Sequence, residues 1–451
     1  MKRVFSVIIF VFLLLCYLPL HINYLEVKAS NGYPVYNLNT GLNYTTIQGA
    51  INAPETLNGH TIFVEKGTYY EHILVNKSIS LIGQNRSTTI LDGSGNGTVV
   101  TISKDDVNVI DFTVQNSGGP PERGLYLDNV NNCSIIGNRI IDNQFGIRIW
   151  NSSNNNTISE NNITSNQAGI YLYGSSNIIS GNNVFDNYYG ISLYVSSSDN
   201  IISGNNLENR GYGTSFYSDS SNNTISYNNI TRHFGGIYLD RSSNNSFYHN
   251  NIIDNNDQVI LDEFSNNAWD NGIEGNYWSD YSGVDMDGGG DGLGDSPYLI
   301  AMDNTDSHPL MGPVTFFDAG TWDEKAYYVH TVSNSTTSDF NFHMTSHLVT
   351  FNVTGLDGTI GFCRVAIPRE LLWCSDIFDW TVIVNGTMAI PLRIQEHAED
   401  TYLYFTYSHS VQIVEVYGTQ AIPEFPSILV LPLFMFITLL IVRIDKRKRK
   451  V

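Results

Sequence analysis

The middle of the chain alternates between apolar and polar residues on a fixed beat. Glycines at 124, 146, 169, 190, 213 and 236 open the segments GLYLD, GIRIW, GIYLY, GISLY, GTSFY and GIYLD, spaced 22, 23, 21, 23 and 23 residues apart. One and three residues after the glycine the side chain is apolar, as in Ile147 and Ile149, Ile170 and Leu172, Ile191 and Leu193, or Ile237 and Leu239; the second and fourth positions are mixed. A period of two over five residues predicts a strand with one buried face. A second block keeps step with the first: CSIIGNRI, NTISENNI, NIISGNNV, NIISGNNL, NTISYNNI and NSFYHNNI, starting at Cys133, Asn156, Asn177, Asn200, Asn223 and Asn245. No coil carries a helical stripe. One coil of two or three short strands cannot bury its own apolar face, so the pattern predicts stacked coils whose equivalent residues lie on top of one another. Residues 44–311 are expected to form one parallel solenoid of roughly ten such coils. Asn138, Asn161, Asn182, Asn205, Asn228 and Asn250 then form a column, bonding amide to carbonyl and holding turns in the left-handed region.

Beyond Pro313 the beat stops. The runs AYYVHTV, LVTFNV, FCRVAI, WTVIV, TYLYFTY and VQIVEV, separated by Gly and Asn turns, predict a small β-sandwich. The two ends read differently again. Lys2 and Arg3 precede an apolar run to Leu20, with Ala29 as a small residue for cleavage, which is the grammar of a signal peptide or N-terminal anchor. Ser427 to Val442 is nearly all apolar and is followed by Arg443 and the cluster from Lys446 to Lys450. That run is shorter than the ~20 residues that span a bilayer comfortably, but flanking residues extend it, and its basic end predicts a transmembrane helix with a cytoplasmic tail. The expected organisation is a signal or anchor at 1–29, a β-helix with a closing acidic loop at 30–311, a β-sandwich at 312–421, and a tether at 422–451.

Charge narrows the partners. Between Ser30 and Pro426 there are 14 Lys or Arg against 42 Asp or Glu, a surface that repels nucleic acid and attracts cations. Aromatic content of 12% argues against disorder. Outside the leader the only cysteines are Cys133, Cys363 and Cys374, too few for a disulfide framework; Cys363 and Cys374 are close enough in sequence to pair, and Cys133 reads as a buried apolar residue. Sequons such as Asn151, Asn162, Asn229 and Asn334 offer glycan acceptors on exposed turns.

The segments YTTIQGAINAP from Tyr44, TIFVEKGTYYEHILVNKSISLIG and VTISKDDVNVIDFTVQNSG resemble the opening coils of pectinesterase-like and NosD-like β-helices. The repeats resemble the carbohydrate-binding and sugar hydrolysis (CASH) type of coil, and GNYWSDYSG, DMDGGGDGLGDSPYLI and DSHPLM, ending at Met311, are similar to the closing motif of NosD-like proteins. Pro423-Glu424-Phe425-Pro426 with the apolar tail looks like the PEF-type signal of archaeal surface proteins. The resemblance implies an all-β chain: a single-stranded right-handed parallel β-helix of the pectin lyase-like class, then the sandwich and the C-terminal helix.

Four chemistries bear on these residues. For glycan hydrolysis, Asn304-Thr305-Asp306 matches the NTD of polygalacturonase-like helices only in its letters, no GHG exists, and Gly67 to Glu71 matches the GxYxE of pectinesterases without their later motifs, so Glu71 reads as structural. For calcium, Asp285, Asp287, Asp291 and Asp295 crowd a glycine-rich loop, two residues longer than the family's DxDGDGxGD. For copper, NosD proteins are linked to copper-site maturation; the coils offer His233 and His249 at different positions, and His343 and His347 would share a face of one strand beside Met344 without a third imidazole, so copper is disfavoured. For sugar binding, the fourth position of the opener strand reads Asp128, Trp150, Tyr173, Tyr194, Tyr217 and Asp240 down successive coils and points outward. Stacking on sugar rings and plain cross-strand packing both account for this column. The sequence reading is a cell-surface, membrane-anchored β-helix scaffold or carbohydrate-binding protein with a polysaccharide or surface glycan as partner; the alternative is an extracellular polysaccharide lyase or hydrolase, and the third is a copper-maturation factor.

Overall fold

The computed structural model describes residues 34–286, 290–301, 303–390 and 392–422. The leader, the PEF segment, the apolar tail and its basic cluster lie outside the described residues. Among the described residues no helix is long and apolar enough to cross a membrane. Two compact units divide these residues: one holds everything up to Met286 together with Leu293–Val314, the other holds 290–292 and the residues from Thr315 on.

The first unit is a parallel β-solenoid. Each coil contributes one short strand to each of three sheets. The first sheet stacks strands from Thr61–Val64 to Ser246–Tyr248 and gains two antiparallel strands, Val35–Asn37 and Leu42–Tyr44, at its start. The second runs from Gly67–Tyr69 to Tyr277–Trp278, the third from Ile73–Val75 to Asp257–Leu261. The third sheet has nine strands, close to the expected ten coils. The opener segments form its strands, among them Phe145–Trp150, Ala168–Leu172 and Tyr189–Leu193, in register Ile147↔Ile170↔Ile191 and Ile149↔Leu172↔Leu193. These inward residues are fully buried, as the alternation requires. The Asn-rich block splits into two strands around a turn, such as Thr157–Ser159 and Asn162–Thr164.

A bare solenoid end exposes an apolar disc, and both ends are closed. At the start, the helix Ile47–Asn52 buries Ile47, Ala50 and Ile51, and Thr46 caps it by accepting from Gly49 N. At the far end, Trp269 stacks on Phe247 and Trp278 on Tyr298, with ring centroids 4.5 and 4.3 Å apart.

The asparagines form three buried columns, of which the sequence reading found one. One runs from Asn138 through Asn161, Asn182, Asn205, Asn228 and Asn250 to Asn276; a second from Asn156 through Asn177, Asn200, Asn223 and Asn245 to Asn267. The third holds Asn143, Asn166, Asn187 and Asn209, then His233 and Asn255. The unit is repeated: Asn161 Oδ1 accepts from Asn138 N at 2.9 Å and Asn138 Nδ2 at 3.1 Å, while Asn161 Nδ2 donates to Ile135 O at 2.8 Å and Asn182 Oδ1 at 3.0 Å. Every buried polar atom of the column is thereby satisfied. His233 fits because burial lowers its imidazole to about 4, keeping it neutral, so Nε2 accepts from Asn209 and Nδ1–H donates to Asn255 Oδ1. The column asparagines do not themselves take the left-handed turn, contrary to expectation. The residue ahead of each does: Gly137, Glu160, Gly181, Gly204, Tyr227 and His249 have φ between +55° and +68°. That bend turns the next amide inward.

In the second unit, two five-stranded antiparallel sheets share one core. Val365, Leu403 and Phe405 from one and Val349, Phe351, Val414 and Val416 from the other belong to that core, so the antiparallel β-structure expected here is present. Cys363 and Cys374 are buried free thiols, so the disulfide open to them in the sequence is not formed. Cys133 is buried too, its thiol pushed up to about 11 by burial.

Candidate functional site

Between the inward residues of the third sheet, the second and fourth positions of each opener strand face outward. All six residues expected to form a binding column, Asp128, Trp150, Tyr173, Tyr194, Tyr217 and Asp240, are half-buried there. Their rings do not stand in single file. Trp150 touches both Tyr173, at 5.2 Å between centroids, and Tyr171, at 5.8 Å. From Tyr171 the contacts step to Tyr194 at 5.2 Å, Tyr217 at 5.1 Å, Tyr238 at 5.2 Å, Tyr212 at 5.0 Å and Tyr189 at 5.9 Å. The result is an aromatic ribbon that runs along the coils from Trp150 to Tyr238 and returns beside itself through Tyr212 to Tyr189. Burial among these rings raises the Tyr171 and Tyr217 phenols well above their ordinary value, so both stay protonated donors.

The flanking carboxylates are already engaged. Asp128 Oδ1 accepts from Tyr126 Oη at 3.1 Å and Asn151 Nδ2 at 2.6 Å; Asp240 pairs with Arg241 at 3.4 Å.

Sequence reasoning missed half of the ribbon. Tyr171 and Tyr238 stand at the second position, where alternation alone would have placed them outward. Tyr189 and Tyr212 precede the opener glycine, where strict alternation points inward. The parity breaks because the glycine backbone lies against the next coil: a Cβ on Gly169 or Gly190 would sit 2.8 or 2.4 Å from a carbonyl oxygen of that coil.

The other candidates resolve into structure. Glu71 accepts from Ile47 N at 3.0 Å and Gln48 N at 2.9 Å, holding the N-terminus of the capping helix. The NTD letters close two asparagine columns: Asn304 Oδ1 accepts from Asn267 N at 3.0 Å and Trp269 Nε1 at 2.9 Å, and Asp306 Oδ2 from Asn276 N at 2.7 Å and Trp278 Nε1 at 2.8 Å. Asp306 is fully buried, and burial pushes its carboxyl up to about 6 against the pull of the Trp278, Asn276 and His308 donors. A raised acid favours the protonated fold. Its contribution is complete below the ordinary value near 4 and is lost as pH rises to about 6. We expect the unfolding free energy from denaturant titrations to fall across that window by about 3 kcal/mol in all, and Asp306→Asn to remove that dependence; an unchanged pH profile in the variant would assign it elsewhere.

Of the acidic loop, Asp285 and Asp291 are half-buried, Asp295 is exposed and accepts from Met286 N at 2.8 Å, and Asp287 lies outside the described residues. The shared strand face proposed for His343 and His347 is not formed. His343 ends its strand, Met344–Ser346 make a 3₁₀ turn, and His347 is left-handed at φ 50°. In the coils, His233 belongs to an asparagine column and His249 Nε2 meets Glu274 Oε2 at 2.8 Å. The residues singled out for copper therefore do not fit a shared centre.

A cell surface glycoprotein of Methanothermus fervidus is 41% identical over 106 residues, which is 24% of this chain and 17% of that protein; the chain thus spans under a fifth of its length. Among solved structures, the A-module of the Azotobacter vinelandii mannuronan C-5 epimerase AlgE4 aligns at 16% identity over 52% of this chain and 79% of its own, with a TM-score of 0.39. A pectin methylesterase from carrot aligns at 14% identity over 55% and 87%, with a TM-score of 0.36. The family model described as "Periplasmic copper-binding protein (NosD)" matches residues 23–283, the greater part of the chain and nearly all of the solenoid. Regular coils, in-register asparagine columns and this match agree: the chain belongs to the NosD family.

Proposed function

We propose that this protein is an extracytoplasmic β-solenoid scaffold that presents the aromatic ribbon as a carbohydrate-binding face. The observation that carries this reading is the continuous run of half-buried rings from Trp150 to Tyr189, all on the outer side of one sheet. Aromatic faces held in place by a rigid sheet suit the stacking of sugar rings, since little side-chain freedom is lost on binding. The family description "periplasmic" and the relative's name "cell surface glycoprotein" both support a place outside the cytoplasm. The apolar run from Ser427 and its basic end support a membrane tether. Calcium at Asp285, Asp287, Asp291 and Asp295 stays a proposal resting on the loop's sequence.

The alternative, a polysaccharide lyase or hydrolase, draws nothing from the two motif carboxylates, because Glu71 and Asp306 are occupied by backbone and indole N–H groups. The test is affinity electrophoresis of the full chain in nonionic detergent against immobilised polysaccharides, with Trp150→Ala and Tyr171→Ala beside the parent. Retardation without release of product supports the binder; product release supports the enzyme.

A further inference from the structure

Resting on the carbohydrate reading, we infer that the ribbon takes an acidic glycan, whose carboxylate or sulfate groups are received by the guanidinium groups of Arg123 and Arg148. Both arginines stand on the outward side of neighbouring coils, where Arg123 is in register with Phe145 and Tyr126 with Arg148. Arg123 lies over the Tyr126 ring at 4.3 Å. Arg148 lies over Trp150 at 4.1 Å and near Phe145 and Tyr171 at 5.1 and 5.5 Å. The cations are thus built into the start of the ribbon.

Among the described residues neither has a counter-ion. The buried Nε–H groups of Arg123 and Arg148 have no hydrogen-bond partner, and among the described residues neither side chain forms an ion pair. Burial and the neighbouring Arg123 both pull the Arg148 guanidinium below its ordinary value. Stacking on aromatic rings holds the two cations in place but does not remove the repulsion between them. In a segment with 42 acidic and 14 basic residues, leaving two adjacent arginines without a carboxylate is unexpected unless an anion arrives from outside. An anionic group supplies the missing counter-charge at the guanidinium Nη groups, because the planar fork pairs with carboxylate or sulfate oxygens and the added charge offsets the repulsion; the Nε–H groups lie out of solvent reach and take no part in this contact. The acidic background does not prevent this, since charges beyond the ~8 Å physiological screening length act weakly. A saccharide chain lying along the coils would set an acidic group at the arginines and stack following residues on Tyr171, Tyr194 and Tyr217.

The test is affinity electrophoresis of the full chain in gels containing polygalacturonate, dextran sulfate or neutral dextran. The parent is expected to be retarded by a polyanion at least tenfold more strongly than by dextran, and Arg123→Gln with Arg148→Gln to abolish that preference, with thermal melts confirming the fold. Retardation by polygalacturonate alone assigns the anion as carboxylate, and by dextran sulfate alone as sulfate. Equal retardation by all three gels, unchanged in the double variant, overturns the anion inference while the sugar-binding reading stands. No retardation in any gel, or in a wider panel of neutral glycans, overturns both.

Discussion

Replacing Asn182 with alanine is expected to remove about 3–5 kcal/mol of stability although it deletes a single small side chain. Asn182 lies mid-column and is buried. Its Oδ1 accepts from Asn161 N and Asn161 Nδ2, each at 3.0 Å, and its Nδ2 donates to Ile158 O at 2.8 Å and to Asn205 Oδ1 at 3.0 Å. Alanine leaves the Asn161 N–H and part of the Ile158 and Asn205 acceptors unpaired where water cannot reach, at about 1–3 kcal/mol for each stranded group. Asn206, exposed on the surface and bonded to Asn183 at 3.0 Å, is the control: Asn206→Ala should change stability by less than about 0.5 kcal/mol. In a solenoid the loss is felt by neighbouring coils first. Urea unfolding should therefore shift to a lower midpoint, with protease cuts appearing between residues 160 and 205 before global unfolding. Equal midpoints for the two variants would show that the columns are incidental.

Gly190→Ala should be as damaging, by about 3 kcal/mol or more. A Cβ at this position would meet Gly213 O at 2.4 Å and Asn209 Nδ2 at 2.7 Å, so it would push one coil off the next and break into the third asparagine column. The reason is close approach, not backbone twist. Gly181 makes the contrast: it has φ +63° with nothing within 4 Å of its Cβ position, and Glu160 and Tyr227 hold the equivalent turn in other coils. Gly181→Asn should cost under about 1 kcal/mol. Chemical denaturation of the pair checks this, and a Gly190→Ala protein with the parental midpoint would mean the coils are looser than the geometry shows.

These glycines show what the sequence made legible. Their spacing announced the coil, and the apolar residues one and three places on, such as Ile170 and Leu172, announced the buried face. The alternation also placed Trp150, Tyr173, Tyr194 and Tyr217 outward. It could not place Tyr189 and Tyr212, because parity breaks at a glycine whose backbone packs on the next coil, and no period carries that information. The two additional asparagine columns were visible as repeated letters, but which amides turn inward depends on a left-handed residue ahead of each. Asn304 and Asp306 lie beyond the beat, and only the folded end brings them under Asn267 and Asn276. The arginines at the ribbon's start were hidden for a different reason: a charged residue on an outward position is ordinary, and only the lack of a partner in space makes Arg123 and Arg148 conspicuous.

The central claim is that the ribbon binds sugar and is not merely a stabilising ladder. Outward cross-strand pairs are worth only ~0.2–1 kcal/mol each, so removing one ring should leave the solenoid folded. The direct measurement is polysaccharide affinity of the parent, Trp150→Ala and Tyr171→Ala by affinity electrophoresis, with a thermal melt of each protein. The account predicts that the parent is retarded, that each variant loses at least tenfold in affinity, and that melting temperatures stay within a few degrees of the parent. Variants that melt markedly lower yet bind as tightly as the parent, or a parent that no polysaccharide retards, would contradict it.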